Sequence, residues 1–413
     1  MTVRPPSLRP SIFVLAVLLV FTVAPNRAPA AVLGHVLALP RAALLVEVAG
    51  RPVIAHQADR PMIPASTMKL VTALAAIDRW GLDHHFTTDL YLADDGWLWV
   101  KAAGDPLLVS EELDLLARAL YRAGVRRLAG IGIDDRLYAS DLRIPGRSGT
   151  DNPYDAPITA FAVNFNTLHL RVSNGRLTSA EAQTPLTPLA RALGGGLGAG
   201  EHRINVQSRE LALRYAGELL AAKLAAAGIE VGAGQVVGVL PGDARPVLSY
   251  RNSRDLRAVL EAMLKYSSNL IANELFLLLA VEGDAGAVDI RRAQRAMTRR
   301  VRERFGWHDF RIEDGAGLSR DNRLSARQLV AVLEAFTPYR ALLPVQPDNP
   351  AVRAKTGTLT GVSTYAGYVQ RDGRWVPFAL LINQAVAPAL RRQLADELAR
   401  TADLEILCTG GRC

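Results

Sequence analysis

The chain has 413 residues, of which 49% are hydrophobic and 21% charged, and its formal net charge is +8. This composition excludes a disordered chain, a fibrous repeat and a disulfide-dense miniprotein, and the length predicts two or three domains. Only 5 of the 48 basic residues are lysines. We interpret the arginine excess as a compositional bias, so the few lysines are the more informative cations.

The first 30 residues predict a secretory signal segment. An apolar run at 11–24 is flanked by arginines, and an A-x-A sequence follows at 28–30. The run is shorter than the roughly 20 residues that a membrane-spanning helix needs. We therefore expect export to the periplasm or the exterior of the cell envelope, with an uncleaved N-terminal anchor as the alternative.

Periodic patterns along the chain predict helices mixed irregularly with strands. Apolar residues recur at helical spacing in 70–80, 112–123 and 209–227, whereas 86–93 and 162–172 alternate with the period of two that strands show. The mixture predicts an α/β (mixed α+β) architecture and not a regular βαβ array.

Residues 64–80 (PASTMKLVTALAAIDRW) contain the first chemically informative motif. Ser66 and Lys69 are three residues apart at a predicted helix start, so they share one helix surface. A serine hydroxyl needs an adjacent base, and a lysine amine can serve where burial or positive charge lowers its pKa. Because S-x-x-K also arises by chance, this spacing alone is weak evidence.

Two later segments complete a set of three motifs. Residues 265–275 (KYSSNLIANEL) contain an S-x-N arrangement, and residues 353–369 (RAKTGTLTGVSTYAGYV) contain K-T-G. The order S-x-x-K, S-x-N, K-T-G is that of serine β-lactamases and penicillin-binding proteins. Two of the five lysines fall within the set.

The motif side chains predict acyl transfer. Ser66 is the predicted nucleophile and Lys69 its general base. Ser267 can relay a proton to the leaving amine, and Asn269 can bind both the lysine ammonium and a substrate amide. Lys355 adds positive charge that helps to keep the base neutral.

The K-T-G segment is expected to contact the substrate. Thr356 and Thr358 can donate hydrogen bonds to a substrate carboxylate, and Gly357 removes a side chain where the strand must approach other backbone. The backbone N–H groups of Ser66 and Thr358 would form the oxyanion hole.

Several segments beyond these motifs carry a resemblance to a known family. They are PASTMKL, GDPLL (104–108), AFAVNFNTLHLRV (160–172), SSNLIANEL (267–275), EDGAGLSRDNRLSA (313–326) and KTGTLTGVSTYAGYV (355–369). In this order they resemble the D-alanyl-D-alanine carboxypeptidase/endopeptidase branch of the low-molecular-mass (class C) penicillin-binding proteins. The resemblance runs from about Val36 to Gln384.

The resemblance implies a penicillin-recognising core of the serine transpeptidase/β-lactamase type, in which helices flank an antiparallel sheet. It also implies an insertion between the first and second motifs. We therefore expect a discontinuous core of residues 31–80 and 247–408, an inserted domain over 81–246 and a short tail at 409–413. The insertion is shorter than in members with two inserted domains, so a reduced or absent third domain is expected.

Three positions in the family segments differ from the usual residue or allow two roles. Ser268 replaces the Asp that is usual in this branch, which predicts altered loop hydrogen bonding without loss of activity. Ala316 stands where Ser is frequent, and nothing is inferred from it. For Asp314, a turn or scaffold role is favoured over contact with the substrate, because Asp-Gly pairs mostly form turns.

No cofactor or catalytic metal is predicted. The adjacent histidines at 84–85 are more typical of solvated side chains than of ligands, and no H-E-x-x-H occurs. The glycine-rich segment 194–200 lacks phosphate-loop and dinucleotide-binding spacing, so a loop is expected. Cys408 and Cys413 predict a small terminal disulfide in an oxidising compartment, with two idle thiols as the alternative.

The predicted protein is an exported serine peptidase that forms an acyl-enzyme on peptidoglycan stem peptides. Ser66 would attack the carbonyl between two terminal D-alanines, the same site could cleave D-alanyl cross-links, and β-lactams would inhibit covalently. The arginine run 291–304 predicts a solvated helix face, with peripheral association to membrane or wall as the alternative; secretion argues against nucleic acid. A serine β-lactamase and a catalytically silent wall-binding protein remain alternatives.

Overall fold

The structure is a computed structural model, and it describes residues 30–283 and 286–400. The predicted signal segment up to residue 29 and both cysteines lie outside the described residues. The described helices are α1 (Ala30–Leu37), α2 (Met68–Trp80), α3 (Ser110–Arg122), α4 (Pro188–Gly194), α5 (Arg209–Ala226), α6 (Leu256–Tyr266), α7 (Asn269–Leu278), α8 (Ile290–Phe305), α9 (Ala326–Phe336) and α10 (Leu390–Arg400).

The strands are interspersed with the helices in an irregular order along the chain, which confirms the mixed α+β class. They are β1 (Ala42–Val48), β2 (Arg51–His56), β3 (His85–Leu92), β4 (Trp97–Lys101), β5 (Arg127–Asp134), β6 (Thr167–Ser173), β7 (Arg176–Ser179), β8 (Gly200–Asn205), β9 (Glu230–Val237), β10 (Arg245–Asp255), β11 (Val345–Gln346), β12 (Asn349–Leu359), β13 (Val362–Arg371) and β14 (Arg374–Ile382).

A six-stranded antiparallel sheet in the order β11-β12-β13-β14-β1-β2 joins the two ends of the chain. On β1, Ala43 and Leu45 face the core that contains α2 and α9, whereas Ala42, Leu44 and Val46 face a second core with α1 and α10. Because successive side chains point to opposite faces, burial of both faces requires apolar residues at consecutive positions, as at 42–46 of β1.

Two further sheets lie in the segment between the first and second motifs. A five-stranded sheet has the order β10-β3-β4-β5-β9, with β5 parallel to both neighbours, and a three-stranded antiparallel sheet has the order β7-β6-β8. Strand β10 pairs with β3 as far as Asp255 opposite His85. The sheet therefore continues past the expected boundary at 246, and we propose that the inserted region ends near Asp255.

Most of the elements predicted from periodicity are confirmed with small differences at their ends. These are α2, α3, α5 and β3. The predicted glycine-rich loop lies between the end of α4 and the start of β8. In the described part of the chain, no helix combines the length and apolar character needed to cross a membrane.

The strand predicted over 162–172 is wrong in its first half. Asn164–Asn166 form a 3₁₀ turn in which all three residues have positive φ (46°, 60° and 50°), and β6 follows the turn. Asparagine tolerates this left-handed conformation, and the buried Asn164 Oδ1 accepts a hydrogen bond of 2.8 Å from the backbone N–H of Ser110. The tertiary contact thus overrides the alternating pattern.

Helix α2 connects the sheet to the helical cluster. It contacts α6, α7, α8 and α9, and its residues from Met68 to Ile77 are buried. The 3₁₀ turn Ala65–Thr67 just before it packs against β12 and β13. The start of α2 therefore lies where the edge of the six-stranded sheet meets the helices.

Candidate active site

Ser66 lies in the 3₁₀ turn that precedes α2, and this turn is fixed from two sides. Thr67 Oγ1 donates a hydrogen bond of 2.6 Å to the carbonyl oxygen of Pro64. Thr364 Oγ1, on β13, donates to the same oxygen at 2.8 Å. The turn thereby holds Ser66 at the N-terminal end of a helix, where the backbone N–H groups provide positive potential.

Lys69 is fully buried beside Ser66. Its Nζ lies 3.1 Å from Ser66 Oγ, 2.8 Å from Asn269 Oδ1 and 2.9 Å from the carbonyl oxygen of Ala316. Burial, followed by the positive charge of Lys355, lowers the pKa of Lys69 well below its ordinary value. A neutral Lys69 amine has a lone pair for the hydroxyl proton of Ser66, so the pair can generate a nucleophile.

Lys355 and Ser267 form a second lysine–serine pair. Lys355 Nζ lies 2.9 Å from Ser267 Oγ and 2.7 Å from the carbonyl oxygen of Thr356. Burial and the positive charge of Arg391 lower the pKa of Lys355 to about 7. The surroundings of both motif lysines therefore disfavour their protonated, positively charged forms.

The S-x-N loop connects two helices, and each serine has a structural role at a helix end. Ser267 ends α6 in the left-handed conformation (φ 55°), with its N–H bonded to the carbonyl oxygen of Met263. Ser268 caps α7, because its side chain accepts a hydrogen bond of 3.3 Å from the backbone N–H of Ile271. Serine is a preferred N-cap residue, so Ser268 can begin α7 without an aspartate at this position.

Gly357 allows β12 to pass directly beside the turn that contains Ser66. A Cβ atom there would lie 2.2 Å from Thr364 Oγ1 and 2.8 Å from the backbone N of Ser66, closer than real contacts permit. The backbone N of Ser66 is thereby brought next to the strand segment that contains Thr358. The two predicted oxyanion-hole donors thus belong to adjacent segments of backbone.

Asp314 organises the loop that contacts Lys69, which confirms its scaffold interpretation. The side chain is fully buried. Its two oxygens accept hydrogen bonds from the backbone N–H groups of Ala316, Gly317, Leu318 and Ser319 and from the side chain of Asn322. This network fixes the carbonyl oxygen of Ala316 against Lys69, and the negative charge of Asp314 opposes the lowering of the Lys69 pKa.

The same loop is held against the turn that contains Ser66. Gly317 has φ 82°, and a Cβ atom at this position would lie 1.8 Å from the carbonyl oxygen of Ala65. Glycine supplies both the left-handed backbone and the space for this contact. The turn that contains Ser66 is therefore enclosed by β12 on one side and by the Asp314 loop on another.

Four further hydrogen bonds in the site were not predicted. Arg391, in α10, donates 2.9 Å and 2.8 Å hydrogen bonds to the carbonyl oxygen of Gly357 and to Thr358 Oγ1. The carbonyl oxygen of Tyr154 accepts from Asn269 Nδ2 at 3.1 Å, and that of Ala316 accepts from Lys69. Arg391 belongs to no motif, so its role could not be predicted from the sequence. The contacts of the two carbonyl oxygens depend on backbone position, which the identity of the residue does not indicate.

The adjacent histidines have structural contacts. The ring of His84 stacks on Trp80 with ring centres 5.7 Å apart, and its edge contacts Phe86. His85 Nδ1 lies 2.8 Å from the carbonyl oxygen of Asn252. Within residues 30–283 and 286–400, no group of three or more His, Cys, Asp or Glu side chains is arranged to bind a metal ion.

With this geometry established, comparison with known proteins gives consistent matches. The chain matches the family described as "D-Ala-D-Ala carboxypeptidase 3 (S13) family" over residues 39–190, 193–346 and 338–403. The D-alanyl-D-alanine carboxypeptidase of Actinomadura sp. (strain R39) is 26% identical over 418 residues, an alignment that covers 82% of this chain and 77% of that protein.

Two solved structures share the fold. Penicillin-binding protein 4 (dacB) of Haemophilus influenzae aligns with a TM-score of 0.73 and 22% identity, covering 90% of this chain and 99% of that one. The same protein has also been solved in complex with a β-lactam. The endopeptidase Bd3459 of Bdellovibrio bacteriovorus aligns with a TM-score of 0.52 and 16% identity, covering 87% and 91%.

Proposed function

The chain belongs to the D-Ala-D-Ala carboxypeptidase 3 (S13) family, and from that premise we propose that Ser66 is the nucleophile of a D-alanyl-D-alanine carboxypeptidase acting on peptidoglycan stem peptides. The observation that carries this proposal is the buried Lys69, whose Nζ lies 3.1 Å from Ser66 Oγ and whose pKa is strongly lowered. A serine hydrolase needs such a base, because the free hydroxyl is a weak nucleophile.

Acylation begins when neutral Lys69 accepts the proton of Ser66. Ser66 Oγ then attacks the carbonyl carbon of the penultimate D-alanine, and the backbone N–H groups of Ser66 and Thr358 stabilise the resulting oxyanion. The C–N bond breaks as the proton held by Lys69 passes through Ser267 to the leaving amine of the last D-alanine, which leaves Lys69 neutral again. Neutral Lys69 then takes a proton from a water molecule that attacks the ester carbonyl carbon, and as the bond from this carbon to Ser66 Oγ breaks, Lys69 returns the proton to Ser66 Oγ.

The K-T-G strand recognises the carboxylate of the last D-alanine. Lys355 supplies positive charge, and the hydroxyl groups of Thr356 and Thr358 donate hydrogen bonds. Arg391 adds a second cation next to Thr358, within 2.8 Å of its hydroxyl. Asn269, held by Lys69, presents its side-chain amide to the backbone of the stem peptide.

β-Lactams are expected to acylate the same serine. Their strained amide stands in for the D-alanyl-D-alanine bond, and their carboxylate stands in for that of the last D-alanine. The β-lactam complex of the Haemophilus relative supports this expectation for a shared fold. The resulting ester would block Ser66.

From the predicted signal segment we propose export, and the arginine-rich face of α8 offers peripheral association with an anionic surface as the alternative to a solvated face. Arg291, Arg295, Arg299 and Arg302 are all exposed on this helix. Such a cluster attracts anionic lipid or wall polymer through its field. N-terminal sequencing of the secreted protein and sedimentation with phosphatidylglycerol vesicles test the two statements.

The decisive experiment combines intact mass after benzylpenicillin treatment with release of D-alanine from a D-Ala-D-Ala pentapeptide. Wild type and a Ser173→Ala control, which alters an exposed serine on β6, should form a stable adduct and release D-alanine. Ser66→Ala should do neither. Rapid loss of the adduct with consumption of penicillin would favour a β-lactamase, and absence of both activities would favour a silent wall-binding protein.

A further inference from the structure

A groove begins at the S-x-N loop and runs along α6, between this helix and the three-stranded sheet. It consists of two adjoining cavities of about 640 Å³ and about 260 Å³ whose walls share Phe165, Glu181, Arg203, Ala262 and Tyr266. The larger cavity also borders Ser267 and Asn269. We call the two cavities together the α6 groove.

Resting on the proposed function, we propose that the α6 groove binds the peptide on the amine side of the scissile bond, that is, the second stem peptide of a cross-linked substrate. In the proposed mechanism Ser267 delivers a proton to the leaving amine. Because the α6 groove begins at Ser267, it begins at the place where the leaving group departs. A substrate whose leaving group continues as a peptide chain can extend from the amine into this groove.

The dimensions of the α6 groove match a peptide and exceed those of a single amino acid. Helix α6 has 11 residues. At about 1.5 Å per residue it is roughly 16 Å long, the span of four or five extended residues. The larger cavity alone lies within the range of about 300 to 1,000 Å³ that is usual for clefts binding drug-sized ligands. One D-alanine would leave most of this space empty.

The groove walls carry groups suited to a polar peptide. Tyr154 and Tyr266 border the cavity with 53% and 72% of their surface exposed, so both offer flat apolar contact area with a polar end. Arg203 and Glu181 form an ion pair of 2.9 Å and remain partly exposed, at 44% and 27% of their side-chain surface. A cation and an anion side by side can bind the carboxylate and the amino group that stem peptides carry.

The test compares two substrates on the same variants. The first is a purified cross-linked muropeptide dimer, and the second is a monomeric D-Ala-D-Ala pentapeptide, whose leaving group is only D-alanine. Ala262→Trp places a bulky ring in the groove from α6, while Glu261→Trp, at the exposed neighbouring position, serves as its matched control. Tyr266→Ala and Arg203→Ala remove wall contacts without adding bulk.

We expect Ala262→Trp to lower kcat/KM for dimer cleavage at least 10-fold, and Tyr266→Ala and Arg203→Ala to lower it 3-fold or more. Release of D-alanine from the pentapeptide should change less than 2-fold in all variants. Equal losses on both substrates, or no loss on either, would overturn the inference. A wild type that releases D-alanine but leaves the dimer intact would also overturn it while the proposed function stands, whereas failure on both substrates would defeat the proposed function.

Discussion

The hydrogen bonds of Asp314 predict that Asp314→Asn destabilises the fold and alters the base. The aspartate oxygens accept five hydrogen bonds, three at Oδ1 and two at Oδ2. An amide NH₂ at the Oδ2 position would face the N–H groups of Ser319 and Asn322, and at the Oδ1 position it would face three donors. At least two buried donors therefore lose their acceptor, whichever way the amide is oriented.

Each unsatisfied buried donor costs about 1 to 3 kcal/mol, so the expected loss in the free energy of unfolding is about 2 to 6 kcal/mol. This is a large fraction of the roughly 5 to 15 kcal/mol that stabilises a typical domain. Urea unfolding, followed by tryptophan fluorescence, measures the loss. Asp321→Asn, which alters an exposed carboxylate in the same loop, is the matched control and should unfold like wild type.

The same substitution should shift the pH dependence of acylation. The negative charge of Asp314 raises the pKa of Lys69, so its removal lowers that pKa further. Lys69 must be neutral to accept the proton of Ser66, and the acidic limb of the pH profile for penicillin acylation should therefore move to lower pH. Unchanged urea stability together with an unchanged acidic limb would refute the scaffold role and its charge effect.

Two further predictions concern the K-T-G strand. Gly357→Ala should slow penicillin acylation at least 100-fold, because its Cβ would overlap Thr364 Oγ1 at 2.2 Å and displace β12 from Ser66, and misplacement by about 1 Å can cost such a factor. Gly242→Ala, where no atom lies within 4 Å, is its control, and equal rates in both variants would contradict the argument. Lys355, with a pKa of about 7, loses its positive charge as pH rises through 7, so KM should rise above pH 7 for a peptide ending in D-alanyl-D-alanine. The same peptide with an amidated C-terminus lacks the carboxylate, so its KM should show no such rise. If KM changed with pH in the same way for both peptides, Lys355 would not be the group that binds the carboxylate.

The chemistry of the site could be predicted from the sequence because it depends on residue types in a fixed order. The spacing of Ser66 and Lys69 places both on one helix surface, and the K-T-G segment requires a glycine where strands approach closely. The helix that follows Ser66 could also be predicted, since its apolar residues recur at helical spacing. These features depend on short stretches of chain.

The remaining features depend on contacts between distant parts of the chain. The left-handed turn at Asn164–Asn166 interrupts an alternating pattern because Asn164 is held by Ser110, 54 residues away in sequence. Arg391 reaches Thr358 only because α10 packs against β12.

Residue identity and order therefore predicted which groups come together in the proposed site. Only the tertiary structure determined the environment of these groups. This environment includes the burial of Lys69, its hydrogen bond to the carbonyl oxygen of Ala316 and the groove along α6. Burial and backbone position arise from packing over the whole fold, and no local pattern of side chains encodes them.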